Sequence, residues 1–238
     1  MRISKRKFAI TGAGRGLGAA LAIKMADAGA QLVLLARGRE ALQDTAGTIL
    51  GRTGQQVDVI ACDLAKVDSA AAAGKQLTDQ HRDLDGIIHN GAMWLPGSMD
   101  KLSDIDIQAC IASAAIGPLI LTRHLLQNLK AREQADILTV VSTSGLQNRP
   151  LGGASVAFAA AKSAQAGFVH GLADELAATN VRVTAVYPGD FEDVSPNDPA
   201  WDEPVANDQT LSNREVVDAI FFILNQPPKV AIRSLVIL

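Results

Sequence analysis

The sequence contains few of the residues that build metal sites and disulfide frameworks. It has two cysteines among 238 residues, and its four histidines show no spacing typical of metal ligands, so we expect no metal site. Cys62 and Cys110 lie in apolar stretches, which indicates small buried side chains and suits a reducing cytoplasm. Aromatic residues are also scarce, and Tyr187 is the only tyrosine.

An excess of positive charge and a long hydrophobic run are absent as well. The formal net charge is −3 and no basic stripe is present, so no nucleic-acid partner is expected. No apolar run reaches the roughly 18 residues of a membrane span. The N-terminus lacks the apolar core and cleavage site of a signal peptide. We therefore expect a cytoplasmic protein with no membrane partner.

What the sequence does contain is an alternation of strand-like and helical stretches. Continuous apolar runs indicate strands covered on both faces, which is typical of a parallel sheet. We predict a single α/β domain over residues 1–238, with a Rossmann-type, doubly wound, mostly parallel sheet of seven strands and helices on both faces. The strands are predicted at 8–11, 31–36, 57–62, 86–89, 137–142, 182–187 and 234–238, and the helices at 16–28, 40–53, 68–82, 103–132, 155–179 and 213–225.

A glycine-rich turn follows the first predicted strand directly. It reads Thr11-Gly12-Ala13-Gly14-Arg15-Gly16-Leu17-Gly18 and opens a helix. Glycine permits a tight strand-to-helix turn and a close approach of the backbone to a pyrophosphate, and the helix N-terminus offers free N–H groups to the phosphates. This context predicts a dinucleotide site.

The turn and several later motifs resemble the short-chain dehydrogenase/reductase (SDR) family over nearly the whole chain. The matches, in order, are the glycine turn, Asp63-Leu64, His89-Asn90-Gly91-Ala92, Ser142, Lys162 and Pro188-Gly189. The resemblance implies an oxidoreductase with a nicotinamide cofactor. It implies that the cofactor is bound by Thr11, Gly12, Gly14, Arg15, Gly16, Leu17, Gly18, Arg37, Asp63, Leu64, Asn90, Gly91, Ala92, Lys162, Pro188 and Gly189.

Charge after the second strand indicates which nicotinamide cofactor is bound. NAD-binding proteins place an acid there for the ribose 2′-OH, whereas this chain has Ala36 followed by Arg37 and then Arg39. Arg15 adds a cation within the glycine turn. Because guanidinium groups hold a phosphate bidentately, NADP (NADPH) is the predicted cofactor.

The catalytic positions depart from the family pattern. The family places a proton-donating tyrosine four residues before its lysine, and this chain has Phe158 before Lys162. Aligning the preceding long helix puts Ala114 where the family has an asparagine. Ser142 matches the family's carbonyl-orienting serine, and Ser144 is a less favoured alternative. Loss of the general acid should slow carbonyl reduction about 10²–10⁴-fold.

Three interpretations of this departure remain open. Tyr187, Ser155 or a water molecule replaces the missing acid, or the protein binds NADP without catalysis as a regulator or sensor, or the reaction reduces an already activated double bond. A sugar-nucleotide epimerase is disfavoured because the C-terminal portion is short. By the resemblance, the loop at 190–212 covers a small-molecule substrate, whereas its acids Asp190, Glu192, Asp193 and Asp198 favour a solvated, charged loop. By the resemblance, the helices at 103–132 and 155–179 form a homodimer or homotetramer interface.

Overall fold

The chain alternates strands and helices along its length, as the hydrophobic pattern predicts. The structure is a computed structural model that describes residues 1–201 and 211–238. Its strands are β1 (Lys7–Thr11), β2 (Gln31–Ala36), β3 (Asp58–Ala61), β4 (Gly86–His89), β5 (Ala135–Val140), β6 (Val181–Pro188), β7 (Phe191–Glu192), β8 (Leu211–Ser212) and β9 (Ser234–Ile237). Its helices are α1 (Gly16–Asp27), α2 (Arg39–Thr53), α3 (Val67–Gln80), α4 (Asp104–Ile111), α5 (Gly117–Lys130), α6 (Val156–Glu175) and α7 (Asn213–Leu224).

Seven strands form one parallel sheet in the order β3-β2-β1-β4-β5-β6-β9. The Rossmann-type fold predicted from the sequence is therefore confirmed. The chain winds outward from β1 in one direction and from β4 in the other, so the order reverses between these two strands. In such sheets ligands bind at the carboxyl ends of the strands beside this reversal.

Helices cover both faces of the sheet, which explains why the strands read as continuous apolar runs. On one face, side chains of α1, α2 and α7 form a buried cluster with β1 and β2 that includes Leu21, Ile49 and Ile220. On the other face, α3, α5 and α6 pack through Leu77, Leu125 and other buried residues.

Helices α4 and α5 form one continuous helical run, joined by a π-helical turn at Ala112–Ile116. The run Asp104–Lys130 is long and apolar enough to cross a membrane by length and composition alone. Half of its most apolar window is buried inside the protein, however. Its apolar character is therefore explained by packing against the sheet.

The region predicted as a long loop contains regular structure. After β6 the chain forms β7, which pairs with β8 in a separate two-stranded parallel ladder. Phe191, Val194 and Trp201 pack onto the cluster formed by α1 and α7. The first part of the predicted loop thus lies against α1. Its role in covering a substrate stays a prediction, since residues 202–210 lie outside the described part of the chain.

Candidate functional site

The turn between β1 and α1 has a geometry that only glycine satisfies. Gly12 has a φ of +70°, and a Cβ on it would stand 2.7 Å from the Cα of Gly91. A Cβ on Gly18, in the first turn of α1, would overlap the carbonyl oxygen of Gly12. The turn therefore brings bare backbone to the start of α1, as the sequence predicts for a phosphate site.

The end of β4 is fastened to this turn by hydrogen bonds. The Thr11 hydroxyl accepts from the backbone N–H groups of Asn90 and Gly91, both at 3.1 Å. His89 faces away from the turn, with its Nε2 2.8 Å from the Thr122 hydroxyl, and burial lowers its pKa to about 3. The turn after β1 and the turn after β4 are thus held side by side where the strand order reverses. His89 is a neutral packing residue.

A cleft of about 980 Å³ opens beside these two turns. Its size is that of a ligand pocket, about 300–1,000 Å³. Its lining combines the glycine turn with the ends of β2, β3 and β4, so the residues fit a dinucleotide with its pyrophosphate on the start of α1. The predicted cofactor residues that line the cleft are Thr11, Gly12, Gly14, Arg15, Gly16, Leu17, Arg37, Asp63, Leu64, Asn90, Gly91 and Ala92.

Two guanidinium groups lie at the end of the cleft nearest β2. Arg15 and Arg37 are both exposed and line the cleft, whereas Arg39 does not. No carboxylate of the described residues forms an ion pair with Arg15 or Arg37. Asp63 and Asp193 also line the cleft, and Asp63 lies 3.9 Å from Lys66. This end of the cleft can therefore hold a phosphate group.

Six of the predicted site residues do not line the cleft as the described residues form it. Gly18 lies beneath the turn, where it lets α1 approach β1. The others outside the lining are Ser142, Phe158, Lys162, Pro188 and Gly189, and their roles toward a cofactor or substrate stay predictions.

The amine of Lys162 is buried under aromatic rings. Its Nζ donates to the Val140 carbonyl at 3.2 Å and to the Gln165 side-chain oxygen at 2.9 Å. The Phe158 ring covers it, with 5.6 Å between Nζ and the ring centre. The exposed ring of Trp94 packs edge-on against Phe158 at 4.6 Å and lines the cleft. Burial lowers the pKa of Lys162 to about 7, since no carboxylate offsets its loss of hydration.

Phe158 and Ala114 share a small apolar cluster between α4 and α6. Both side chains are buried there beside Cys110 and Ala161. An asparagine or tyrosine at these positions would bring a polar group into this cluster. The two positions predicted to depart from the family pattern thus belong to one packing arrangement.

Ser142 adopts a strained backbone conformation immediately after β5. Its φ is 141°, a value that non-glycine residues rarely adopt, and its hydroxyl accepts from the Ser144 N–H at 3.1 Å. Such strain is often found where a side chain is held for function. The hydroxyl of Ser142 keeps its proton available for a further hydrogen bond.

Neither side chain suggested as a substitute acid is positioned for that role. Tyr187 is 1% exposed, and its hydroxyl lies 3.2 Å from Nε2 of His170. Ser155 is fully buried and caps α6, where its hydroxyl accepts from the Phe158 N–H at 3.1 Å. These contacts do not favour either side chain as the acid, and the three interpretations left open by the sequence stay predictions.

Sequence reasoning missed two parts of the cleft wall. One face of α4 lines it, including Ile105, Gln108 and Ala109, and Asp193 lines it from the segment after β7. The α4 residues form no motif, so only the three-dimensional packing reveals them. The sequence does not single out Asp193, because Asp190 and Glu192 lie beside it in the same loop.

Comparisons with known proteins agree with this arrangement. Residues 6–202 match the family model described as short chain dehydrogenase. The chain is 32% identical over 185 residues to dehydrogenase/reductase SDR family member 7B of Mus musculus, which covers 76% of this chain and 56% of the mouse protein. It is 28% identical over 190 residues to a 3-oxoacyl-(acyl-carrier-protein) reductase of Chlamydia trachomatis, covering 76% of this chain and 71% of that protein.

A solved structure extends the likeness to the whole fold. A metagenomic short-chain oxidoreductase in complex with NADP superposes with a TM-score of 0.83 at 25% identity. The superposition covers 100% of this chain and 98% of that one. The mouse relative is longer, and this chain spans little more than half of its length.

Proposed function

Because the chain belongs to the short-chain dehydrogenase/reductase family, a family of oxidoreductases, we propose that it binds NADP(H) and acts on a small carbonyl or alcohol compound. The observation that carries the proposal is the cleft beside the glycine turn, with Arg15 and Arg37 at its end. The metagenomic relative solved with NADP supports the same cofactor.

The choice of NADP over NAD rests on charge. The 2′-phosphate of NADP would meet the two guanidinium groups, each able to form charge-assisted hydrogen bonds with it. The residue that ends β2 is Ala36, so no carboxylate at that position accepts from a ribose 2′-OH. The remaining cofactor residues would hold parts that NAD and NADP share.

The experiment that tests this choice compares two arginines by calorimetry. We expect Arg37→Asp to weaken NADPH binding about tenfold to hundredfold, the range of a lost charged hydrogen bond, and to abolish the preference over NADH. Arg39→Asp is the matched control, because it makes the same charge change outside the cleft lining. Equal affinity of the wild type for NADPH and NADH, or equal losses in both variants, would refute the proposal.

The reaction at the substrate end depends on which side chains there can donate a proton or a hydrogen bond. When bound, the nicotinamide supplies or accepts the hydride. Ser142 would orient a carbonyl through its hydroxyl, while the Phe158 ring donates no proton. A proton for the reduced oxygen would come from water. Substrates whose double bond is already polarised need this proton least, and we propose them as the better substrates.

A second candidate function is favoured by one observation. The stack of Trp94 on Phe158 fills the space in front of Lys162 and leaves no side-chain acid there. In this alternative the chain binds NADP(H) without turnover and acts as a regulator or sensor. The cofactor residues are the same in both candidates, so only turnover separates them.

Turnover with NADPH distinguishes the two candidates when wild type and Phe158→Tyr are compared. We expect the wild type to reduce polarised double bonds and to reduce simple ketones slowly, and Phe158→Tyr to raise ketone turnover about 10²-fold by restoring a general acid. Tyr187→Phe serves as the control and should leave the rates unchanged. A wild type inactive on every compound, with activity only in Phe158→Tyr, would favour the noncatalytic candidate.

We further propose a homodimer or homotetramer in the cytoplasm. Three exposed apolar side chains support an interface: Ile116 at the end of the π-helical turn, Leu119 on α5 and Val156 on α6. The two cysteines, Cys62 and Cys110, are free and buried, which suits a reducing compartment.

A further inference from the structure

A carboxylate lies against the turn that would receive the pyrophosphate. The Asp193 Oδ2 stands 2.7 Å from where a Cβ on Gly16 would be, and Asp193 lines the cleft together with Arg15 and Gly16. Gly16 is the first residue of α1 and has a φ of +54°. A negative charge therefore occupies the neighbourhood of the first N–H groups of α1.

Within residues 1–201 and 211–238, α1 itself supplies no anion to its own start. The N-cap residue Arg15 makes no capping hydrogen bond with its side chain, and the first turn of α1 contains no acidic residue. An uncapped helix N-terminus attracts negative charge through its free N–H groups and its dipole. Asp193, which is distant in sequence, is the acid that the fold brings to it.

Backbone and side-chain contacts hold Asp193 in this position. The two residues before it pair with β8. The buried side chain of Asn213 accepts from the Val194 N–H at 3.1 Å and donates to the Val194 carbonyl at 2.9 Å. Its amide also reaches the Asp193 Oδ1 at 3.4 Å. No cation of the described residues forms an ion pair with Asp193.

We propose that the Asp193 carboxylate competes with the pyrophosphate for the start of α1 and thereby sets the affinity for the dinucleotide. The proposal rests on the proposed cofactor. A pyrophosphate at the start of α1 and the Asp193 carboxylate are both negatively charged and repel each other. The carboxylate must therefore turn toward solvent when the pyrophosphate binds. Asp193 is exposed, which leaves it room to do so. The phosphate at the Arg37 end of the cleft is outside this competition.

The experiment measures the affinity of the full chain for two ligands by calorimetry. NADPH carries the pyrophosphate, and adenosine 2′-monophosphate carries only the adenine, ribose and 2′-phosphate. We expect Asp193→Asn to tighten NADPH binding about five- to tenfold, a modest gain because solvent screens the exposed carboxylate, and to leave the affinity for adenosine 2′-monophosphate unchanged. Glu192→Gln is the matched control, because it removes one exposed charge from the adjacent residue outside the cleft lining.

The outcomes separate this inference from the proposed cofactor. If adenosine 2′-monophosphate binds but Asp193→Asn binds NADPH no tighter than the wild type, the competition is overturned while the cofactor proposal stands. If Asp193→Asn and Glu192→Gln tighten NADPH binding equally, the effect comes from the overall charge of the protein. That result also overturns the inference. If neither ligand binds the wild type or Asp193→Asn, both proposals fail.

Discussion

The amine of Lys162 has a pKa that its buried surroundings lower strongly. Burial lowers its pKa to about 7 from an ordinary value near 10.5. In the unfolded chain the same amine is hydrated and takes up a proton near pH 10.5. Between pH 7 and 10.5 the unfolded state therefore binds more protons than the folded state, and the free energy of unfolding rises with pH across this window.

This pH dependence predicts the effect of replacing the amine. Lys162→Met keeps the length of the side chain and removes its titration. From pH 7.5 to 9.5 we expect the wild type to gain about 2–3 kcal/mol of stability relative to Lys162→Met, as two pH units at 1.36 kcal/mol each imply. Urea unfolding of both proteins at the two pH values measures this. Parallel stability curves would contradict the burial of an uncompensated amine.

At the scale of helices and strands, the hydrophobic pattern was sufficient to predict the sheet. Each predicted strand lies within two residues of the observed one at both ends, because strands covered on both faces need continuous apolar residues. The predicted helix at 103–132 is continuous in space. Its π-helical turn at Ala112–Ile116 could not be predicted, because that turn depends on packing against α6 and not on local propensity.

The geometry of the glycine turn could be predicted from the sequence, and the surroundings of Lys162 could not. The glycine turn carries much of its geometry in its own residues, since Gly12 has a positive φ and Gly18 lies against the Gly12 carbonyl. The Phe158 ring that covers Lys162 packs against Trp94, which lies 68 residues from Lys162 in sequence. Asp193 likewise reaches α1 only through β7 and Asn213. Contacts between distant segments leave no motif.

At the scale of the whole molecule, α6 presents a face that the isolated chain does not cover. Gly167 and Gly171 are exposed, and a Cβ on either would meet no atom within 4 Å. Glycine in the interior of a helix lowers stability by about 1 kcal/mol relative to alanine. No contact among the described residues requires glycine at these two positions, which suggests that a neighbouring molecule requires it. Two copies of α6 could approach closely across these glycines.

A matched pair of substitutions tests whether this face is an interface between two copies. Gly167→Arg and Gly51→Arg both replace an exposed helix glycine with open space around it, but Gly51 lies on α2, across the sheet. Both variants should fold, because arginine is the better helix former. By light scattering after gel filtration we expect the wild type and Gly51→Arg to be oligomeric and Gly167→Arg to fall to the 24.9 kDa monomer. A monomeric wild type, or a Gly167→Arg protein of unchanged mass, would show that copies do not pair through α6.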